Sequence, residues 1–218
     1  MVDTESAIHH AVPVFVQIFQ GRVLNAARAR DVFERWIEEV APGADGWQGS
    51  TAGITEDGEM IAVVRFASPE AARRSNERPE QNEWWEEMRQ QFTDDVTFHD
   101  CTNIAMFGGE EWGDAGFVEV VQGYMADLGD MMEVRFLEIE EHYKRSPELE
   151  ILGGLIADHG DGGGFTELVL FRSEQQALDE EGRNLRPEIS SLEALSPYIA
   201  NLRHLTIRDP WIYGRRIQ

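Results

Sequence analysis

Cysteine is nearly absent: Cys101 is the only one in 218 residues, so no disulfide can form within the chain. That fits a reducing, cytoplasmic setting. Basic residues are also scarce, 19 against 41 acidic ones, for a net charge of -22. Such a field repels phosphate backbones and anionic lipid surfaces, so neither nucleic acid nor a membrane is expected as a partner. Its plainest meaning is a well-solvated surface. No stretch approaches the roughly 18 apolar residues of a membrane-spanning helix. The segment from Met1 to Ala11 lacks the basic region and apolar run of a signal peptide. No motif spells out a reaction.

What the chain does have is an internal repeat. Phe15, Val16, Gln20 and Gly21 recur as Phe117, Val118, Gln122 and Gly123, displaced by 102. Val64, Phe66, Ser68, Ala72, Arg78 and His99 recur as Val169, Phe171, Ser173, Ala177, Arg183 and His204, displaced by 105. Duplication followed by a small insertion leaves this pattern. It predicts two units of about 100 residues, a common domain size. Their expected bounds are 12–107 and 117–213, joined by a glycine- and acid-rich linker, 108–116.

Within the first unit, Val12 to Gln20 is apolar on both alternating sides, as a strand covered on two faces requires. Ala29, Val32, Phe33, Trp36, Ile37 and Val40 follow helical spacing up to Pro42. Asp57-Gly58 between two apolar runs predicts a hairpin. Ser68-Pro69-Glu70 is a helix start, and Pro79 should break that helix into two pieces. Val96 to Phe107 is expected to close the unit as a single strand. The order is β-α-β-β-α-β, the arrangement of a ferredoxin-like fold. The second unit repeats it, with a helix around Met131 to Tyr143, a hairpin at His159–Gly164 and a final strand from Leu202 to Arg208.

Two ferredoxin-like units in tandem resemble the dimeric α+β barrel superfamily, which includes the antibiotic-biosynthesis monooxygenase-like and stress-responsive domains. The resemblance spans roughly Val12 to Tyr213 and rests on element order and the repeat. It implies an α+β fold in which the two units pack as an intramolecular barrel, each able to hold a ligand between sheet and helices. It also implies that oxidation can proceed without a bound cofactor, because a deprotonated aromatic substrate can itself activate oxygen. Haem-degrading relatives pair a first-strand Asn with a helix Trp and a helix His. This chain has Gln17, Gln20, Trp84 and Trp85 but no histidine between Pro69 and Phe92, so no haem or other cofactor is expected.

The densest candidate site is Asn76 to Trp85, where a proline break exposes backbone groups beside two adjacent tryptophans. The expected ligand is a small apolar or aromatic molecule held by Phe19, Trp84, Trp85, Asn76 and Gln81. Arg78 would orient a polar group and His99 would act as base, its pKa lying near neutrality. The plainer alternative is that the tryptophans are packing and that His99 is structural, since His204 recurs at the corresponding position. In that case the protein is a non-enzymatic stress or scaffold protein with its pocket packed shut. Cys101 reads as a small buried residue. His159-Gly160-Asp161-Gly162-Gly163-Gly164 reads as a turn, where glycine supplies positive φ. Glu138 and His142 read as a surface pair and His9-His10 as part of the terminus, so no metal site is expected. A homodimer stays open. The second unit, with Ile189 and His204 filling the matching space, is expected to brace the first.

Overall fold

The computed structural model describes residues 14–108, 112–125, 151–182 and 199–214. The first strand, β1 (Phe15–Arg22), lies between β3 and β4 and is covered on both faces. Phe15 and Phe19 point to the helix side, while Val16 and Ile18 point away from it. Helix α1 (Ala26–Arg35) opens with the Asn25 side chain accepting from the Arg28 N–H at 3.0 Å. Its apolar stripe continues through a wider turn, Trp36–Val40, and a tight turn at Ala41–Gly43, before Trp47 begins β2 (Trp47–Ile54). Gly58, at φ +81, makes the turn into β3 (Glu59–Phe66). Ser68 caps α2 (Pro69–Asn76), and Pro79 restarts the chain as α3 (Pro79–Arg89), the expected break.

The segment 96–107 is two strands, not the single one expected. β4 (Thr97–Cys101) pairs with β1, whereas β5 (Ile104–Gly108) crosses over and pairs with β7 (Ile151–Asp158) of the second unit. The exchange is reciprocal. After β6 (Phe117–Tyr124), β8 (Gly164–Phe171), α4 (Glu174–Gly182) and β9 (Ala200–Arg208), the chain turns at Asp209, φ 56. It then adds β10 (Trp211–Gly214) to the edge of β2. The two sheets run β10-β2-β3-β1-β4 and β5-β7-β8-β6-β9. Each therefore contains one strand from the far end of the other half. The expected helix at Met131–Tyr143 and the linker centre lie outside the described residues.

The fold is α+β, two ferredoxin-like units packed sheet against sheet in one chain. Val16, Ile18, Ile61, Val63 and Cys101 of the first sheet meet Val118, Val120, Leu155, Leu168, Leu170 and Ile207 of the second in one apolar layer. Separate clusters fill the helix side of each sheet. Gln20 and Gln122, 102 residues apart, meet across the layer, with Gln122 Nε2 donating to Gln20 Oε1 at 2.6 Å. The two copies of one residue thus mark where the units face each other. At Gly53 the sheets approach closely: a Cβ there would lie 2.2 Å from Ile207 Cγ2.

The register corrects one expected correspondence. Phe15 pairs with Phe66 and Phe117 with Phe171, as the 102 and 105 offsets require. Val16, however, pairs with Cys101 and Val118 with Ile207, an offset of 106. The structural counterpart of His99 is therefore Leu205. His204 pairs with Val121, on the other face.

Candidate functional site

On the helix side of the first sheet, β1 and β4 place Phe19 opposite Phe98, and α3 lays two tryptophans over them. Trp85 meets Phe98 edge-on at 5.0 Å and Phe19 at 5.6 Å between ring centroids. Trp84 stands 6.4 Å from Phe19 and 6.0 Å from Trp36. Adjacent residues on a helix diverge by about 100°, and their roles differ accordingly. Trp84 leans inward, donating its indole N–H to the Val32 carbonyl at 2.8 Å. Trp85 leans outward over Phe98, which is 55% exposed on the edge strand. The ring cluster therefore has a buried floor and an open rim.

A polar chain runs beside the rings on the same face. Asn76 Nδ2 donates to Gln17 Oε1 at 3.3 Å, and Gln17 Nε2 donates to Asp100 Oδ1 at 2.8 Å. Gln17 is brought there by lying between Phe15 and Phe19 on β1, and Asp100 by pairing with it.

The remaining predicted residues are engaged elsewhere. Gln81 accepts the Trp36 indole N–H at 2.6 Å. Arg78 Nη1 donates to the Val40 carbonyl at 3.0 Å, its guanidinium seated against Gly43, where any Cβ would lie 2.4 Å from Nη2. His99 points to the opposite face of β4 from Phe98, as strand alternation dictates. Its ring stacks on His159 at 3.6 Å and 15°. Burial holds its pKa below the ordinary histidine value, with nearby Asp161 opposing in part. Cys101 is buried between the sheets and its thiol is pushed up to about 12, chiefly by burial, so it stays protonated. The structure thus gathers Phe19, Trp84, Trp85 and Asn76, spends Gln81 on the neighbouring Trp36, and sets Arg78 and His99 apart from the rings.

Sequence reasoning missed Phe98, Gln17 and Asp100 as members of this face. The signal was partly present, since alternation on β4 already separates Phe98 and Asp100 from His99. In the second unit the register puts Val121, His204, Glu119 and Thr206 where the first has Phe19, Phe98, Gln17 and Asp100. Ile189 and the counterpart of α3 lie outside the described residues.

Solved structures share this architecture. One, titled a "putative monooxygenase" from Lactobacillus acidophilus NCFM, superposes with a TM-score of 0.69 at 10% identity, over 93% of this chain and 97% of that one. Another so titled, from Fusobacterium nucleatum, gives 0.71 at 9% identity, over 94% and 96%. An anthrone oxidase-like protein gives 0.63 at 10% identity, over 93% of each chain. The chain has the dimeric α+β barrel fold. At these identities the likeness is one of fold. No protein-family model and no curated protein matches the sequence. Among the described residues, no helix of this barrel is long and apolar enough to cross a membrane.

Proposed function

We propose that the first unit binds a small aromatic molecule on the helix side of its sheet and oxidises it without a bound cofactor. The observation that supports this reading best is the half-open cluster of Phe19, Trp84, Trp85 and Phe98 beside the Gln17–Asn76–Asp100 chain. Aromatic contacts favour flat polycyclic ligands, each ring pair adding about 0.5–1.5 kcal/mol beyond the area it buries. The polar chain supplies two amides and a carboxylate to orient a carbonyl or hydroxyl.

The chemistry this suits is attack of oxygen on an acidic CH2 between aryl rings. Loss of a proton gives a carbanion that reduces O2 directly, and the CH2 and O2 end as a carbonyl and water. A base is needed at the ring edge. His99 would have to act through its own strand, so the base in this proposal is Asp100, steadied by Gln17. Arg78 and Gln81 hold the scaffold, bracing the α1 terminus and Trp36. Proteins of this fold titled monooxygenase and anthrone oxidase-like agree with the reaction class.

The test is oxygen uptake and tryptophan-fluorescence quenching with anthrone-type polycycles, in chelator and without added cofactor. Saturable quenching and O2 consumption are expected, with Asp100→Asn reducing turnover and Phe98→Ser weakening binding. Quenching unchanged in Phe98→Ser would remove the site.

The scaffold reading draws on a different observation. The indole N–H groups of Trp84 and Trp36 and the Arg78 guanidinium are all spent on internal bonds. On that reading no compound in the panel quenches.

A further inference from the structure

The two corners where each hairpin reaches the other unit's last strand are related by the repeat, and they differ in chemistry. In one corner Thr55 of the β2–β3 hairpin bridges Ile207, and Arg203 Nη2 pairs with Glu59 at 2.5 Å. The inward position on β9 between Arg203 and Ile207 is Leu205. In the other corner His159 stands where Thr55 stands: each has its N–H on the carbonyl across the hairpin, Thr55 on Glu59 and His159 on Gly164. His99 stands where Leu205 stands. The fold closes one corner with a leucine and a threonine, so two imidazoles in the other are not a requirement of the barrel.

These imidazoles share their corner with a carboxylate. One nitrogen from each of His99 and His159 and one oxygen of Asp161 lie within 4.8 Å of one another. The Asp161 carboxylate is aimed by the glycine turn, Oδ1 accepting the Gly164 N–H at 2.8 Å. His159 Nδ1 lies on this side too: a Cβ on Gly164 would be 2.8 Å from both His159 Nδ1 and Asp161 Oδ1. His159 Nε2 faces away, 2.8 Å from Thr166 Oγ1, which also receives Gln122 Nε2 at 3.0 Å. The His99 ring makes no hydrogen bond among the described residues.

We propose that His99, His159 and Asp161 bind one divalent transition-metal ion of the zinc type. Two imidazole nitrogens and a carboxylate oxygen are a donor set such ions take. A tetrahedral centre with bonds of about 2.1 Å sets its ligand atoms about 3.4 Å apart, and an imidazole lone pair lies in the plane of its ring, so the stacked His99 and His159 rings must turn out of their parallel arrangement to close on one ion. Thr166 fixes the His159 ring through its outer nitrogen, the arrangement that normally orients a metal-bound histidine. Asp161 is exposed, so the fourth position opens to solvent. The site lies on the opposite face of β4 from the aromatic cluster and rests on no part of the oxidation reading.

The test starts from the full chain stripped with chelator and titrated with Co2+, read by d–d absorption, and with Zn2+, read by calorimetry. One equivalent per chain is expected, with a rise in Tm when metal is present. His99→Leu installs the residue of the other corner and should weaken binding at least tenfold, as should Asp161→Asn. A chain with His9 and His10 both replaced by Ala should bind as the parent does. Binding that survives both His99→Leu and Asp161→Asn, or that vanishes with His9 and His10, overturns the proposal. So does a parent chain that takes up neither metal.

Discussion

Arg78 reads in the sequence as a residue that orients a ligand, and in the fold its guanidinium is bonded to the Val40 carbonyl. Its guanidinium carries the Val40 carbonyl at the point where α1 has widened and can no longer satisfy that group itself. Arg78→Ala should therefore cost about 1–2 kcal/mol in urea unfolding, the price of a charged hydrogen bond to a carbonyl left without it. Aromatic-ligand quenching in the folded variant should stay close to that of the parent. Gly53 is the sharper case. Its Cα hydrogen faces Ile207 where a methyl would not fit, so Gly53→Ala should destabilise more than Arg78→Ala and lower Tm by several degrees. These roles were hidden in the sequence for one reason. Alternation tells which residues share a face of a strand, and it separated His99 from Phe98 correctly. It does not tell which face the helices cover, nor that an offset of 105 slips to 106 in the last strand and exchanges His204 for Leu205.

At the scale of elements, the strand exchange is held at one end by a compact set of contacts. Trp211 of β10 packs on Phe33 of α1, and the Arg30 guanidinium lies 5.7 Å from its ring. Arg30 also bonds Asp209 at 2.6 Å and Glu34 at 2.8 Å. The Tyr213 hydroxyl donates to Glu34 at 3.0 Å, and burial, then this bond, push its pKa up to about 12. An unfolded tyrosine titrates near 10. The native state therefore holds this proton longer, so its contribution is complete below pH 10 and is lost as pH rises towards 12. Allowing for solvent at this half-buried ring, the loss should be about 1–2 kcal/mol. Stability measured from pH 9 to 12 should fall more steeply for the parent than for Tyr213→Phe. Equal slopes would mean the phenol is free. The order of elements was readable because hairpin turns and helix caps are local signals. The fates of β5 and β10 were not, since a strand's choice between two sheets is a tertiary decision and Ile104–Gly108 carries no mark of it.

At the scale of the whole molecule, exchange makes the halves dependent on each other. Without β10 the first sheet would expose the edge of β2 along Gly49 to Ala52; without β5 the second would expose the edge of β7 along Gly153 to Ala157. Separation would also open the layer of Val16, Ile18, Ile61 and Val63 against Val118, Val120, Leu168 and Leu170 to water. Burying each such side chain is worth about 1.5–3 kcal/mol, so the four on a lone half would together forfeit about 6–12 kcal/mol, comparable to the 5–15 kcal/mol by which domains are usually stable. The intact chain should consequently unfold in a single transition, with tryptophan fluorescence and far-ultraviolet circular dichroism coincident. Fragments made by cutting between Gly108 and Gly116 should each lack a cooperative transition alone and regain one when mixed at equal concentration. A first half that unfolded cooperatively by itself would show that the exchanged strands decorate two independent domains and do not bind them into one.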